Sequence, residues 1–560
     1  MNVIIENRAV AIDGSRKSAL EKARNRLLMI MLLMVLAFGG LAVRTVNLGI
    51  EGGAVRRTAP SIVIAPVQLA RADIVDRNGE VLATNLETDS LYADARGVKN
   101  PADVAAALVS ILPELSQADV EQKLTSGKSF VWLKRKLTPT QKWEVNALGI
   151  PNLRFEREEE RIYPHGRLAS HVLGYVDVDG KGLGGVEHFF NDRLADKTQV
   201  GQPLKVSLDI RVQHALADEL GAAMRAHQAI GAGGLVMDVN TGEVIAMVSM
   251  PDYDPNQSGS ATDDARFNRM TMGQYELGSI FKTFTVAASL DDGLIDMDDG
   301  YDATRPLKVG KYTISDDHPK ERYLTIPEIF AYSSNVGMAQ MADELGGERQ
   351  KEFLGDLGLL EATHVELAET GSPRYPTRWG RLSTMTVSYG YGIQVSPLSA
   401  ASGIASIVNG GRRIPATLIA KNEDDFVVSK QVIKSTTSDK MRQMMRMVVR
   451  EGTGSKANAV GYRVGGKTGT AESAGVGGYD EKALVSSFMG VFPMDNPRYV
   501  VFAMLDKPKG TKKTFGFAGG GWTAAPTVGN VITRSAPILG VSPKQEDETI
   551  YQQVALLIKD

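Results

Sequence analysis

Residues 278–284 of the chain read GSIFKTF and place a serine and a lysine three positions apart. Since three residues is close to one helical turn, Ser279 and Lys282 lie on the same face of a helix that begins next to Gly278. A lysine kept neutral by its surroundings can accept the proton of a serine hydroxyl, which makes that serine a nucleophile. Taken alone, such a pair is more often a helix-capping serine and a solvated lysine, so the interpretation depends on the rest of the chain.

Two further short motifs follow the first one along the chain. An S-x-N motif occurs at residues 333–335 (SSN) and a K-T-G motif at residues 467–470 (KTGT). Separations of 54 and then 134 residues leave room for a helical region between the first two motifs and for a return to a sheet before the third. This ordered set is typical of class A β-lactamases and penicillin-binding proteins. The sequence therefore predicts a serine acyl-transfer site.

The sequence around each motif favours the local structure that such a site requires. Residues 325–328 (TIPE) have the pattern of a capping box ahead of a helix that leads to residue 333. Residues 462–473 (YRVGGKTGTAES) read as an exposed strand. Elsewhere the patterns predict hairpins that turn at residues 78–79 and 240–242, and helices at 102–112, 117–125 and 210–230.

With these motifs the chain resembles the monofunctional, class B penicillin-binding proteins, most closely the division-specific peptidoglycan transpeptidases. The resemblance extends over nearly the whole region after residue 71. Three segments are similar to the family's non-catalytic motifs: 71–79 (RADIVDRNG), 161–164 (RIYP) and 182–187 (GLGGVE). Four more segments resemble blocks around the family's active site: 250–256 (MPDYDPN), 388–397 (SYGYGIQVSP), 486–493 (SSFMGVFP) and 519–526 (GGGWTAAP).

Two residues depart from the pattern of this family. Ala72 stands where glycine is usual, and Leu277 replaces the proline that usually precedes the Gly-Ser of the nucleophile motif. The second departure concerns the turn that presents Ser279, and it leaves the assignment to the family unchanged.

The resemblance implies an α+β multidomain fold with a single N-terminal transmembrane helix. After the helix it implies an elongated mixed pedestal domain, and then a penicillin-binding, serine β-lactamase-like transpeptidase domain with an antiparallel sheet flanked by helices. Changes of composition along the chain place the boundaries. The expected divisions are a cytoplasmic tail (1–26), a transmembrane anchor (27–43), a linker (44–70), the pedestal (71–205), the transpeptidase domain (206–540) and a C-terminal tail (541–560).

The resemblance also implies a peptidoglycan D,D-transpeptidase that cross-links stem peptides in septal cell-wall synthesis and is a target of β-lactams. Ser279 would attack the D-Ala-D-Ala donor, with Lys282 as base and Ser333 relaying a proton to the leaving D-alanine; an amine of a second stem peptide is the acceptor. The other site residues implied are Asn335, which orients Lys282, and the substrate-binding Lys467, Thr468, Gly469 and Thr470. The backbone N–H groups of Ser279 and Thr470 would form the oxyanion hole. No metal and no organic cofactor is needed.

Other interpretations of the same fold are weighed against this one. A β-lactamase requires a glutamate in an E-x-x-L-N-like loop between Ser333 and Lys467, and the sequence has none; a secreted β-lactamase would also lack a pedestal. A D,D-carboxypeptidase and an elongation-specific transpeptidase stay open as alternatives. A non-enzymatic β-lactam sensor or scaffold would tolerate the loss of motif residues, whereas all of them are intact.

The composition disfavours several other classes of protein. With 43% hydrophobic and 23% charged residues the chain is that of an ordered globular protein, and a net charge of -3 provides no basic field for nucleic acid. The absence of cysteine removes thiol catalysis, cysteine-ligated metals and disulfides, and the seven histidines show no metal-ligand spacing. Asp76, Arg77 and Glu187 are expected to form ion pairs that hold the fold, and His318 is expected on a surface loop.

Residues 27–43 (LLMIMLLMVLAFGGLAV) are 17 positions without a charge, about 26 Å of helix against a hydrocarbon core of about 30 Å. Basic residues are more frequent before this run than after it, which predicts a cytoplasmic N-terminus and an extracytoplasmic outer portion. The resemblance implies that the membrane is the inner membrane and that the outer portion is periplasmic. A cleaved signal peptide is the alternative, but its apolar run is usually about 7–15 residues. The basic residues compared are Arg16, Lys17, Lys22, Arg24 and Arg26 before the run, and Arg44, Arg56 and Arg57 after it.

The predicted pedestal is too small to hold a glycosyltransferase domain, so a partner must polymerise the glycan strands. By resemblance this partner is a multi-spanning SEDS-type glycan polymerase, which the anchor and the pedestal would contact. Other division proteins are expected in the same assembly.

Overall fold

The computed structural model describes residues 6–51, 71–199, 201–422, 425, 429–475 and 478–544. Its first unit contains helix α1 (Glu6–Glu51), of which Arg24–Thr45 is long and apolar enough to cross a membrane. Residues 44–51, expected as the start of a linker, are helical instead, because no proline interrupts them and extending an existing helix costs less than starting one. Residues 52–70 of the expected linker and 545–560 of the expected tail lie outside the described residues.

The pedestal region combines short helices with one mixed sheet. Its strands are β1 (Ile74–Val75), β2 (Val81–Ala93), β3 (Val131–Leu137), β4 (Leu153–Ile162) and β5 (Leu204–Lys205). Its helices are α2 (Pro101–Ile111), α3 (Gln117–Leu124), α4 (Pro139–Ala147), α5 (Ser170–Leu173), α6 (Gly185–Phe189) and α7 (Asn191–Ala195). Strand β2 pairs antiparallel with β1, β3 and β4, and β5 pairs parallel with β1. The hairpin at residues 78–79 and the helices at 102–112 and 117–125 are thereby confirmed to within one residue.

A buried ion cluster ties distant segments of the pedestal together. Glu187 Oε2 accepts a hydrogen bond from Arg71 Nε at 2.7 Å, and Glu187 Oε1 accepts one from Arg161 Nε at 2.6 Å. The carboxylate is fully buried, and the side chains of Arg71 and Arg161 are 7% and 2% exposed. The expectation that Glu187 forms an ion pair is therefore confirmed.

Asp76 and Arg77 hold the junction between the pedestal and the next region in different ways. Arg77 pairs with Glu243 at 3.8 Å, as an ion pair that is partly exposed. Asp76 was expected to form an ion pair too, but its carboxylate accepts backbone N–H groups from its own turn and from Ile210 at 3.2 Å. A short acidic side chain in a turn reaches nearby amides more readily than a distant cation.

The transpeptidase region supplies the remaining elements of the structure. Its helices are α8 (Ile210–Ala226), α9 (Asp263–Arg266), α10 (Lys282–Asp291), α11 (Ile326–Tyr332), α12 (Asn335–Leu345), α13 (Gly347–Asp356), α14 (Arg381–Val387), α15 (Pro397–Val408), α16 (Ser435–Arg450) and α17 (Ala524–Ser535). Its strands are β6 (Gly231–Asp238), β7 (Val244–Met250), β8 (Gly300–Asp302), β9 (Leu307–Val309), β10 (Tyr312–Ile314), β11 (Tyr323–Thr325), β12 (Arg412–Arg413), β13 (Lys430–Gln431), β14 (Gly465–Gly475), β15 (Gly478–Phe492) and β16 (Tyr499–Asp506).

The central sheet is antiparallel, with the strand order β14-β15-β16-β6-β7. Both faces are covered, which explains why β16 is apolar along nearly its whole length. Alternate residues of β16 enter two different cores: Phe502 packs in the core that contains α10, α15 and α16, whereas Val501 packs in the core that contains α8 and α17. The predicted α+β fold, with an antiparallel sheet flanked by helices, is confirmed.

Candidate active site

The nucleophile motif forms a tight turn that leads into α10. Gly278 has a φ of +53°, and a Cβ added there would lie 2.5 Å from the carbonyl oxygen of Thr470, so only glycine fits. Gly278–Phe281 form a 3-10 turn, and the α-helix begins at Lys282 rather than at Ser279 as expected. Side chains three apart are eclipsed in a 3-10 turn, so Ser279 and Lys282 still share one face. Leu277 is buried in the core, where its side chain anchors the turn.

Ser333 lies in the connection between α11 and α12. The capping box of Thr325 and Glu328 starts α11, as the sequence predicts. Ser333 ends that helix with a φ of 62°, a left-handed conformation that residues other than glycine rarely adopt and that is often found at functional sites. Ser334 then caps α12 by accepting a hydrogen bond from Gly337 N at 3.1 Å. The strained residue allows one helix to end and the next to begin within two residues.

Ser333 Oγ joins the side chains of all three motifs. It donates a hydrogen bond to Ser279 Oγ at 2.9 Å and accepts hydrogen bonds from Lys282 Nζ at 3.1 Å and Lys467 Nζ at 3.0 Å. Lys282 Nζ also donates to Asn335 Oδ1 at 2.7 Å and to the Ser333 carbonyl oxygen. Five of the residues singled out in the sequence thus form one hydrogen-bond network.

Both lysine side chains are fully buried, and burial disfavours their charged forms. Burial lowers the pKa of Lys282 to about 7, although the carboxylates of Asp316 and Asp317 act in the opposite direction. Burial also lowers the pKa of Lys467 well below its usual value, and the nearby Lys282 adds to this effect. A base is most useful when its pKa lies near the working pH, so Lys282 is suited to accept a proton at neutral pH.

Lys467 was expected to supply a positive charge for substrate binding, but its lowered pKa shows that the amine favours the neutral form when no ligand is bound. Its amine is buried beside another amine, and both conditions favour the neutral form. A carboxylate placed next to it would restore the charged form, because an opposite charge raises the pKa of an amine. An anionic ligand would therefore stabilise the positive charge of Lys467.

The K-T-G motif lies on β14, at one edge of the central sheet, and the strand expected there is confirmed. It was expected to be exposed, but Gly465–Gly469 are buried, because the nucleophile turn and α16 pack against the strand. Thr468 Oγ1 shares a hydrogen bond of 2.7 Å with Thr453 Oγ1, and Thr470 Oγ1 accepts one of 3.0 Å from Gly520 N. A Cβ added at Gly469 would lie 2.4 Å from the Leu277 carbonyl oxygen, so this strand lies directly against the nucleophile turn. The edge of a sheet can pair with an extended peptide, and here that edge lies beside Ser279.

Sequence reasoning missed Asp316, which lies on the loop after β10. Its carboxylate accepts hydrogen bonds from Asn335 N at 2.5 Å, Val336 N at 2.9 Å and Ser334 Oγ at 2.7 Å. The contact spans 19 residues of sequence, so no local pattern around Asp316 signals it. His318, on the same loop, is exposed as predicted.

The site has the groups for nucleophilic acyl transfer: a half-buried serine, a lysine able to act as base, and a second serine between them. Within the described ranges, no three His, Asp or Glu side chains are grouped so that they could hold a metal ion. The fold and this network define a penicillin-binding type of serine acyltransferase.

Comparison with known families supports this class. Residues 232–532 match the penicillin-binding protein transpeptidase domain, and residues 66–202 match the penicillin-binding protein dimerisation domain. The chain belongs to the penicillin-binding protein transpeptidase family. The resemblance to class B members that the sequence motifs indicated is confirmed.

Individual relatives agree with this assignment. The chain is 39% identical to the probable peptidoglycan D,D-transpeptidase FtsI of Caulobacter vibrioides, over 96% of this chain and 93% of that protein. It is 27% identical to the peptidoglycan D,D-transpeptidase FtsI of Escherichia coli, over 86% of each chain. The crystal structure of penicillin-binding protein 3 from Mycobacterium tuberculosis in complex with ampicillin is similar with a TM-score of 0.68 and 26% identity, over 86% of this chain and 97% of that one.

Proposed function

We propose that this chain is a serine D,D-transpeptidase that cross-links peptidoglycan stem peptides through an acyl-enzyme on Ser279 during septal wall synthesis. The observation that carries the proposal is the network in which Ser333 Oγ connects Ser279, Lys282 and Lys467. Relatives along nearly the whole chain are named as peptidoglycan D,D-transpeptidases, and the one from Caulobacter carries a division protein's name.

Acylation begins when Ser279 Oγ attacks the carbonyl carbon of the penultimate D-alanine of the donor. For the relay, the two hydroxyls turn so that Ser279 donates to Ser333 Oγ and Ser333 donates to the neutral amine of Lys282, across the same distances of 2.9 and 3.1 Å. The Ser279 proton then passes to Ser333 Oγ while Ser333 passes its own proton to Lys282. The tetrahedral intermediate then breaks its C–N bond. The leaving amine of D-alanine takes up the proton from Lys282 by the reverse of this relay.

Deacylation repeats the same proton movements with a new nucleophile. An amine from a second stem peptide attacks the ester carbonyl, and Lys282 takes its proton through Ser333. Breaking the ester bond returns a proton to Ser279 Oγ and releases a cross-linked product with a new amide bond. Asn335 holds the Lys282 amine at 2.7 Å throughout, so the base keeps its position in both half-reactions.

The terminal carboxylate of the donor binds along β14. Lys467 gains its positive charge as the carboxylate arrives, and the hydroxyls of Thr468 and Thr470 donate to it. Gly469, which has no side chain, lets β14 pack directly against the nucleophile turn. The backbone N–H groups of Ser279 and Thr470 form the oxyanion hole, since Gly278 brings these two stretches of backbone into contact. The same features accommodate a β-lactam, which combines a reactive carbonyl with a nearby carboxylate.

The remaining features of the chain fit a membrane-anchored enzyme of the cell wall. The apolar stretch within Arg24–Thr45 supports an anchor at 27–43 in the inner membrane, with the tail before it in the cytoplasm. The pedestal and the catalytic domain are then periplasmic, and a SEDS-type polymerase with other division proteins supplies and organises the glycan strands. A phosphatase that is active only in the periplasm tests this topology, because it should work when fused after residue 560 and fail when fused before residue 1.

The function is tested with the full chain, a stem pentapeptide donor and an added amine acceptor. Mass spectrometry should find the donor joined to the acceptor with loss of one D-alanine, and Ser279→Ala should form no product. Ser289→Ala, on the same helix and fully buried, is the matched control and should retain activity. A wild-type product that consists only of hydrolysed tetrapeptide would identify a D,D-carboxypeptidase instead.

A further inference from the structure

The loop that follows β10 carries a carboxylate whose contacts converge on the catalytic network. Asp316 lies on this loop, is half-buried, and binds the first turn of α12 through Ser334 Oγ, Asn335 N and Val336 N. The same loop supplies the Ser315 carbonyl oxygen, which accepts from Asn335 Nδ2 at 3.1 Å. Both the backbone and the side-chain amide of Asn335 are therefore fixed by one two-residue stretch of loop.

We propose that Asp316 is a positioning residue of the catalytic site: its carboxylate fixes the start of α12 and thereby places Asn335 and Ser333 against the amine of Lys282. This inference rests on the proposed acyl transfer at Ser279.

The Asp316 carboxylate holds the start of α12 more strongly than a neutral helix-capping side chain would. An ionised acceptor forms shorter and stronger hydrogen bonds with N–H donors, and a negative charge is favoured at the N-terminus of a helix. Ser334 already caps α12 through Gly337 N at 3.1 Å, so Asp316 adds a second, charged clamp to the same turn. The extra clamp makes sense where Ser333 holds a strained left-handed conformation directly before the helix.

The position of α12 affects catalysis directly, because Asn335 Oδ1 accepts a hydrogen bond from the amine of the base, Lys282. The Lys282 amine is held by Asn335 Oδ1, Ser333 Oγ and the Ser333 carbonyl oxygen, and all three acceptors belong to the segment that Asp316 ties down. A loosened α12 would release these acceptors together. A catalytic group displaced by even a fraction of an ångström loses rate steeply.

Asp316 also acts on Lys282 through charge. The charged groups that face the buried Lys282 amine are Asp316 and Asp317 from the loop and Lys467 from β14. Both carboxylates favour the protonated amine, and Lys467 would oppose it only when it is itself protonated. Removing the charge of Asp316 should therefore move the titration of Lys282 to lower pH, an effect that a purely mechanical clamp would not produce.

The test compares Asp316→Ala, Asp316→Asn and Glu321→Gln in the full chain, using the rate of acylation by a fluorescent penicillin as a function of pH. Asp316→Ala should lower the plateau rate by about tenfold or more, and Asp316→Asn, which keeps an acceptor oxygen, should recover part of the loss. In both variants the midpoint of the rise in rate should move to lower pH. The Glu321→Gln control, exposed further along the same loop and away from the Lys282 amine, should keep a plateau within about twofold of wild type and an unmoved midpoint.

Each outcome decides the matter. An Asp316→Ala protein that acylates at the wild-type rate with an unmoved midpoint would overturn the inference while leaving the proposed function intact. So would a loss of rate that merely follows the unfolded fraction in a melting experiment, with no change of the midpoint. A wild-type protein that forms no adduct would contradict the proposed function, and with it this inference.

Discussion

The pedestal and the catalytic domain each bury a cluster of charged side chains, and the two clusters handle charge in opposite ways. In the pedestal, Arg71 and Arg161 share the carboxylate of Glu187 at 2.7 and 2.6 Å. In the catalytic domain, Lys282 and Lys467 meet at the hydroxyl of Ser333. The hydrogen-bond partners of these two amines, in the part of the chain that the structure describes, are all neutral groups.

The difference follows from the chemistry of the two side chains. A guanidinium group does not lose its proton in a protein, so a buried arginine requires an anion beside it. An amine can lose its proton, and burial lowers the pKa of Lys282 to about 7 even though Asp316 and Asp317 act in the opposite direction. The arginine cluster therefore stabilises the fold, whereas the lysine cluster can move protons. Substitutions in the two clusters should separate stability from activity.

The largest effect is expected for Lys282→Met, which removes the base and keeps the length of the side chain. Acylation by penicillin should fall by about 10²–10⁴-fold, the usual contribution of a general base. The melting temperature should stay the same or rise, because an apolar side chain replaces a buried amine. Lys440→Met, which breaks an exposed pair with Asp296, is the control and should change neither quantity appreciably. A Lys282→Met protein that acylates normally would remove the lysine from the mechanism.

Next comes Glu187→Gln, which leaves both pedestal arginines without their anion. The free energy of unfolding in denaturant should fall by about 3–5 kcal/mol, as for other broken buried ion pairs. Protein that remains folded should still acylate at a rate close to wild type. Glu160→Gln on β4, next to Arg161 and paired with the exposed Lys136, should cost less than about 1 kcal/mol. Equal losses for the two variants would show that the buried cluster has no special structural role.

A smaller change is expected for Lys467→Met, and it should depend on the ligand. Acylation by a penicillin with a free carboxylate should slow by about 10- to 100-fold, the worth of one hydrogen bond to a charged group. Lys467 also contacts Ser333, so the methyl ester of the same penicillin measures the loss that is unrelated to the carboxylate. The ratio of acid to ester rates should drop in the variant. An unchanged ratio would separate Lys467 from carboxylate recognition.

The smallest expected effect is the change in the wild-type acylation rate for each unit of pH. Below pH 7 the Lys282 amine is protonated and cannot accept a proton, so the acylation rate should rise by about tenfold per pH unit and level off above about 7. The usual pKa of lysine, 10.5, applies in the unfolded chain, which therefore binds a proton more tightly than the folded one. The contribution of Lys282 to stability should accordingly improve as the pH rises from about 7 to about 10.5. A flat rate profile between pH 5 and 9 would contradict the role of Lys282 as base.

Much of the fold and of the active site could be predicted from the sequence, because the patterns that indicate them extend over only a few residues. The capping box at Thr325 and the glycine before Ser279 are read within a few residues, and the structure contains both. Asp316 escaped notice because its contacts depend on a loop that folds back over 19 residues to reach Asn335. The lowered pKa of Lys467 could not be predicted from the sequence either, since it follows from complete burial beside a second lysine.

The most direct test of the central claim is the fate of penicillin on the full chain, followed by intact mass and peptide mapping. Opening the β-lactam ring leaves no departing group, so the protein should gain the mass of one whole penicillin, on the peptide that contains Ser279. The sequence offers no glutamate loop of the β-lactamase type to activate water, so the adduct should persist for many minutes, and Ser279→Ala should form none. Turnover of penicillin within seconds, or an adduct on another residue, would contradict the account.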